Sequence, residues 1–141
     1  VSGPRVSEPI AAAIVAQMLS LIQDRRVGDD GITRINVSTL RNQSRATTAE
    51  FKDFCQRVAN ILTVASPDAK VQFVTVAPGA QYELQGAAYL TTFQGFDLWE
   101  LFLSLSPTDR NITLWSSNGP VHVLRQPRLG EPQFVRIVMP N

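Results

Sequence analysis

Between Val71 and Val138 the chain alternates short apolar runs with turn-forming residues, and that spacing limits its fold severely. Val71-Gln72-Phe73-Val74-Thr75-Val76 stops at Pro78-Gly79. Gln81 to Leu84 leads through Gly86 into a run from Ala88 to Phe93, and Asn111 to Trp115 runs into Ser117-Asn118-Gly119-Pro120. Val121 to Leu124 and Gln133 to Val138 complete the series. β-branched and aromatic runs punctuated by Gly, Pro and Asn read as antiparallel strands, folded into a sheet, sandwich or barrel.

Ahead of the strands, two segments have helical spacing. Ser7 can cap the first, and Pro9 is tolerated in its first turn. Ile10, Ile14, Met18, Leu21 and Ile22 carry the helical period, which is expected to stop near Arg25-Arg26. Only Gln17 and Ser20 are polar between Ile10 and Ile22, so this helix needs apolar cover on more than one side, from the fold or from another subunit. Gly28 to Gly31 is a turn, and residues 32–40 form at most a weak strand through Ile35 and Val37. The second helix opens on Thr47 with Glu50 at capping-box spacing. Phe51, Phe54, Cys55, Val58, Ile61 and Leu62 then make one apolar stripe, closed by Ser66-Pro67-Asp68.

The segment from Phe96 to Leu105 fits both periods. Trp99, Leu101, Leu103 and Leu105 alternate as in a strand, and Pro107 to Arg110 then serves as a loop into the strand at Ile112, so a strand is the preferred reading. The expected architecture is α+β in one domain over residues 1–141, helical over about 7–64 and β-rich over about 70–138. Two N-terminal helices pack on an antiparallel sheet or sandwich of about five to seven strands.

The charge balance is nearly neutral. Thirteen basic and twelve acidic residues leave +1 at neutral pH, a weak footprint for a nucleic-acid binder. No apolar run reaches the roughly 18 residues of a membrane span, and no signal peptide is read at the N-terminus. The lone Cys55 excludes an internal disulfide and a multi-cysteine zinc site. Asn-x-Ser/Thr triplets occur at Asn36, Asn42 and Asn111. A secreted glycoprotein of this size normally has disulfides, so an intracellular or particle-associated setting is favoured.

Reactive groups are sparse. His122 is the only histidine, flanked by Val121 and Val123 in a strand, and Cys55 sits on the apolar stripe of the second helix, where burial raises a thiol pKa. No catalytic residue, cofactor or metal ligand is assigned. Asp29-Asp30 lacks the rest of a calcium loop. The interaction candidates are Trp115, Arg125 and Arg128, around the Asn118 turn and the Pro127 to Pro132 loop, because aromatic and Arg side chains are enriched in binding hot spots. The stretch from Ile112 to Leu124 resembles a hairpin of the marked-box dimerisation domain of cell-cycle transcription factors. The likeness stops at a generic hairpin, and no family is assigned from it.

The reading is a non-enzymatic interaction module that self-associates, of the viral coat, spike or comparable assembly type, with a further protein partner possible. Two alternatives stand beside it. One is a ligand-binding domain or small enzyme with a pocket between helix and sheet, lined by Tyr82, Tyr89, Trp99 or Glu100. The other is a nucleic-acid-associated regulator using the arginines between Arg25 and Arg57.

Overall fold

Pro9 opens the first helix, α1 (Pro9–Leu21), where its missing N–H costs nothing. The computed structural model describes residues 8–127 and 133–137; Ser7, the anticipated cap, lies outside them. Glu8 holds the N-cap position but makes no side-chain cap bond to its own helix. The helix ends at Leu21, before Arg25-Arg26. Ala11, Ile14, Val15 and Met18 are buried, while Ala13, Ala16, Gln17 and Ser20 face solvent. The exposed face is thus made of small and polar residues, and most of the apolar demand of α1 is met inside the fold.

After α1 the order is β1 (Thr33–Asn36), β2 (Leu40–Asn42), α2 (Thr48–Ala65), β3 (Val71–Val74), β4 (Tyr82–Phe93), β5 (Phe96–Pro107), β6 (Trp115–Ser116), β7 (Val121–Leu124) and β8 (Phe134–Val135). Thr47 caps α2 as expected, its hydroxyl accepting the Glu50 N–H at 3.1 Å. The class is α+β. All the described strands belong to one sheet, ordered β3-β1-β4-β5-β7-β8, with β2 paired to β4 and β6 paired to β5.

The sheet is mixed where the sequence suggested antiparallel pairing throughout. β1 runs parallel to β3 and to β4, and β2 runs parallel to β4. The cause is α2, which lies between β2 and β3 and supplies the long crossover that a parallel neighbour requires. β4 begins level with the ends of β1 and β3, since Ile35 pairs with both Phe73 and Tyr82. A short link from Val74 to Tyr82 therefore suffices. The weak strand expected at 32–40 is two strands following one another along β4. At the break, Asn36 accepts the Ser38 N–H at 2.9 Å, and Thr39 donates its hydroxyl to the Leu84 carbonyl at 2.9 Å. Asn42 makes the same local turn with Ser44. Two of the three Asn-x-Ser/Thr triplets are thus Asx turns, with Asn36 itself buried.

Two strands expected on either side of Gly86 are one, the 12-residue β4. Gly86 has φ 149°, and a Cβ there would lie 1.7 Å from the Phe102 carbonyl oxygen. Only glycine fits, and it lets β4 bend from its pairing with β1 to its pairing with β2. β5 is also 12 residues and pairs with β4 along its whole length. Gln94 (φ 50°) and Gly95 (φ 82°) make the turn between them, both with the positive φ of a type I′ hairpin. The strand expected over Asn111 to Trp115 is shorter, since β6 takes only Trp115 and Ser116. The final run yields β8 at Phe134 and Val135, with Val138 outside the described residues.

The core lies between the helices and one face of the sheet. Trp99, Leu101, Leu103 and Leu105 point into it, each at most 3% exposed. Phe54 of α2 stacks on Trp99 with ring centres 4.5 Å apart, and Phe51 leans on the same indole at 5.7 Å.

Candidate interaction face

Strand alternation places the other residues of β5 outward. In the β4–β5 register, Tyr89 lies opposite Glu100, Ala87 opposite Phe102 and Phe93 opposite Phe96. Tyr89 and Phe102 are therefore diagonal neighbours. Their rings meet edge to face, 6.0 Å apart at 85°. Both remain open to solvent, at 41% and 42%, and Phe96 near the hairpin tip is 59% exposed. The longest paired element of the fold thus carries a stripe of uncovered aromatic rings on its outward face. At the tip, Leu98 and Leu124 face each other and are buried, bordering a small pocket of ≈ 330 Å³ shared with Val135 and Ile137.

The polar centre of this face is the cross-strand pair Glu100 and His122. They are register partners on β5 and β7, with Glu100 Oε2 3.0 Å from His122 Nε2. The pair also borders a larger cleft of ≈ 620 Å³, whose walls include Ile10, Ile14 and Gln17 of α1 and Trp115 of β6.

The residues anticipated for interaction have separate settings. Trp115 is buried, opposite Leu105 in the β5–β6 pair. Arg125 grips Glu50 in a two-pronged ion pair, Nε to Oε2 at 2.8 Å and Nη2 to Oε1 at 2.9 Å. That pair ties the end of β7 to the first turn of α2, and the Arg125 guanidinium holds the Glu50 carboxyl below its usual range. Arg128 lies outside the described residues.

Most arginines between Arg25 and Arg57 are committed. Arg25 pairs with Asp68 at 2.7 Å, Arg26 with Asp109, and Arg34 with Asp30 at 2.6 Å. Arg57 turns inward, donating to the carbonyls of Leu124 and Arg125 with its guanidinium over the Phe54 ring. Three of these four thus meet carboxylates, and the fourth meets backbone, which weakens any phosphate-binding patch built from them. Tyr82 and Trp99, proposed as pocket lining, are both buried. Tyr82 accepts the Arg26 N–H at 3.0 Å, and the Trp99 indole N–H has no partner.

Cys55 is buried in the core, and burial pushes its thiol up to about 11. It belongs to the helix layer, whereas His122 projects from the outward side of the sheet, so the two do not form a dyad. Among the described residues, no cluster of three His, Cys, Asp or Glu residues suits a metal, and no helix is long and apolar enough to cross a membrane.

The outward aromatics are the feature that sequence reasoning missed. Tyr89, Phe96 and Phe102 were visible as apolar residues, but only the β4–β5 register brings them onto one face. The Gln94-Gly95 turn was the available signal, because a two-residue turn fixes that register.

No protein-family model matches the chain, and no curated protein matches it. Two solved structures are similar. One is the LpoB C-terminal domain from Salmonella enterica, at 17% identity and TM-score 0.45, covering 81% of this chain and 95% of that one. The other is a dodecamer of a PelC variant from Paraburkholderia phytofirmans, at 18% identity and TM-score 0.33, covering 67% of this chain and 73% of that one. At these scores the likenesses bear on no residue and no function of this chain.

Proposed function

We propose that the chain is a non-enzymatic protein-interaction module that self-associates through the outward face of the β4–β5 hairpin. The Tyr89–Phe102 pair carries the reading. Two aromatic rings are held against each other, in the open, on the two longest strands of the sheet. Clustered exposed aromatics mark interaction sites on soluble domains, and such rings contribute heavily to binding energy. A second copy is a suitable occupant because the patch is short of net charge at its centre. Glu100 is already bonded to His122, so a two-fold interface brings together aromatic surface with little like-charge repulsion.

Light scattering coupled to size exclusion tests the reading. Wild-type protein should form a discrete oligomer that grows with concentration, and Phe102→Asp should return it to monomer. A coat-type assembly is the more specific form of the proposal. It requires a closed shell or extended array, which electron microscopy of concentrated protein distinguishes from a dimer.

A second reading is favoured by the cleft of ≈ 620 Å³ beside Glu100 and His122. Its size suits a small ligand, with the carboxylate and imidazole as the polar recognition groups. Ligand-dependent change in tryptophan fluorescence, lost in Glu100→Gln, is the result that supports it.

A further inference from the structure

β8 ends the sheet, next to β7 and with no further described strand beyond it. Its pairing register runs His122 to Val135 and Val123 to Phe134. The Leu124 N–H donates to the Gln133 carbonyl at 2.7 Å, so Leu124 and Gln133 form a hydrogen-bonded pair. Alternation then makes Val123 and Phe134 a non-hydrogen-bonded pair, and the Phe134 N–H points away from β7. This is the open-edge donor that invites another strand.

Glu8 occupies that donor. Its Oε2 accepts the Phe134 N–H at 2.8 Å, and its Oε1 accepts the Gln133 N–H. Glu8 is also the N-cap residue of α1, where a carboxylate would ordinarily serve its own helix. It makes no such bond. The side chain is committed to a strand more than a hundred residues away in sequence, and its carboxylate stands where a neighbouring strand would place carbonyl oxygens.

We infer that Glu8 is a latch over a strand-docking edge, and that the partner this edge fits is β8 of a second copy. Two β8 strands related by a two-fold axis pair antiparallel and extend the sheet across the interface. In the register that sets Phe134 against Arg136 of the copy, the outward donors of both strands meet carbonyls. The same register keeps the two Arg136 charges apart. When the start of α1 moves away, Glu8 leaves with it and the edge opens.

The edge is separate from the hairpin face, so the test runs in the Phe102→Asp background, where association through the face is removed. Adding Glu8→Ala should produce concentration-dependent dimers by light scattering. At low concentration its Phe134 amide should exchange about tenfold faster or more than in the parent. Arg136→Pro, added to that variant, removes the next outward N–H and should abolish the dimer, whereas Arg136→Ala should not. Unchanged Phe134 exchange in Glu8→Ala would overturn the latch. Faster exchange in a protein that stays monomeric would overturn the partner, as would a dimer that survives Arg136→Pro. Failure of Phe102→Asp to alter wild-type association counts against the hairpin face alone.

Discussion

Phe54 on α2 and Trp99 on β5 stack at 4.5 Å with 17° between their ring planes, and this contact joins the helix layer to the middle of the sheet. Phe51, one turn earlier on α2, completes an aromatic cluster around an indole with no solvent exposure. Deleting a fully buried large aromatic loses both transfer free energy and packing, so Trp99→Ala should destabilise by about 3–5 kcal/mol. Trp99→Phe should cost distinctly less, because it also removes an indole N–H that is buried without a partner. Urea unfolding of the two variants checks the difference. Equal losses would contradict this account of the core.

Gly86 and Gly95 both have positive φ, but only Gly86 has no room for a side chain. Gly86→Ala drives a methyl group into the Phe102 carbonyl and should cost about 2–4 kcal/mol. Gly95→Ala sits in open space and should cost only about 1 kcal/mol, the conformational term alone. Thermal or urea denaturation of each variant measures the contrast.

Several carboxylates are held below their usual range by partners. The Arg125 guanidinium does this for Glu50, the Lys70 N–H with Arg25 for Asp68, Arg26 for Asp109, and Arg34 for Asp30, which falls to about 2. A depressed folded-state pKa contributes stability that is present above the unfolded value and is lost as pH falls through the folded value. Melting temperature should therefore hold steady from neutral pH to about 5 and then decline toward about 2. Glu50→Gln should lower the neutral-pH melting temperature by a few degrees and make the acid decline shallower. A melting temperature that rises on acidification would contradict these pairings.

Cys55 titrates in the opposite sense. Its thiol is raised to about 11 by burial, so the contribution is complete below the unfolded value near 9 and is lost as pH rises toward the folded value. At neutral pH native protein should resist iodoacetamide, and labelling should appear only with denaturant. Rapid labelling of native protein would mean that α2 does not cover the thiol.

The sequence made much of this fold legible through local chemistry. Thr47 with Glu50 located the start of α2, and the alternation of Trp99, Leu101, Leu103 and Leu105 marked β5 correctly over a helical alternative. Parallel pairing was not legible, because β1 and β2 are short, broken by the Asn36 turn, and join the sheet only after α2 has brought β3 back beside β1. Position along the chain also misled. Trp115 and Arg125 flank a conspicuous turn, yet one is buried against Leu105 and the other is bound to Glu50. The outward face depends on a register between residues far apart in β4 and β5, and residue type alone could not separate Phe102 from the core aromatics.

The central claim rests on the exposed Tyr89–Phe102 pair, and light scattering across a concentration series tests it most directly. The account predicts a discrete wild-type oligomer, unchanged at high salt, that Phe102→Asp converts to a folded monomer. A wild-type protein that stays monomeric at the highest attainable concentration, or an oligomer indifferent to Phe102→Asp, would contradict it.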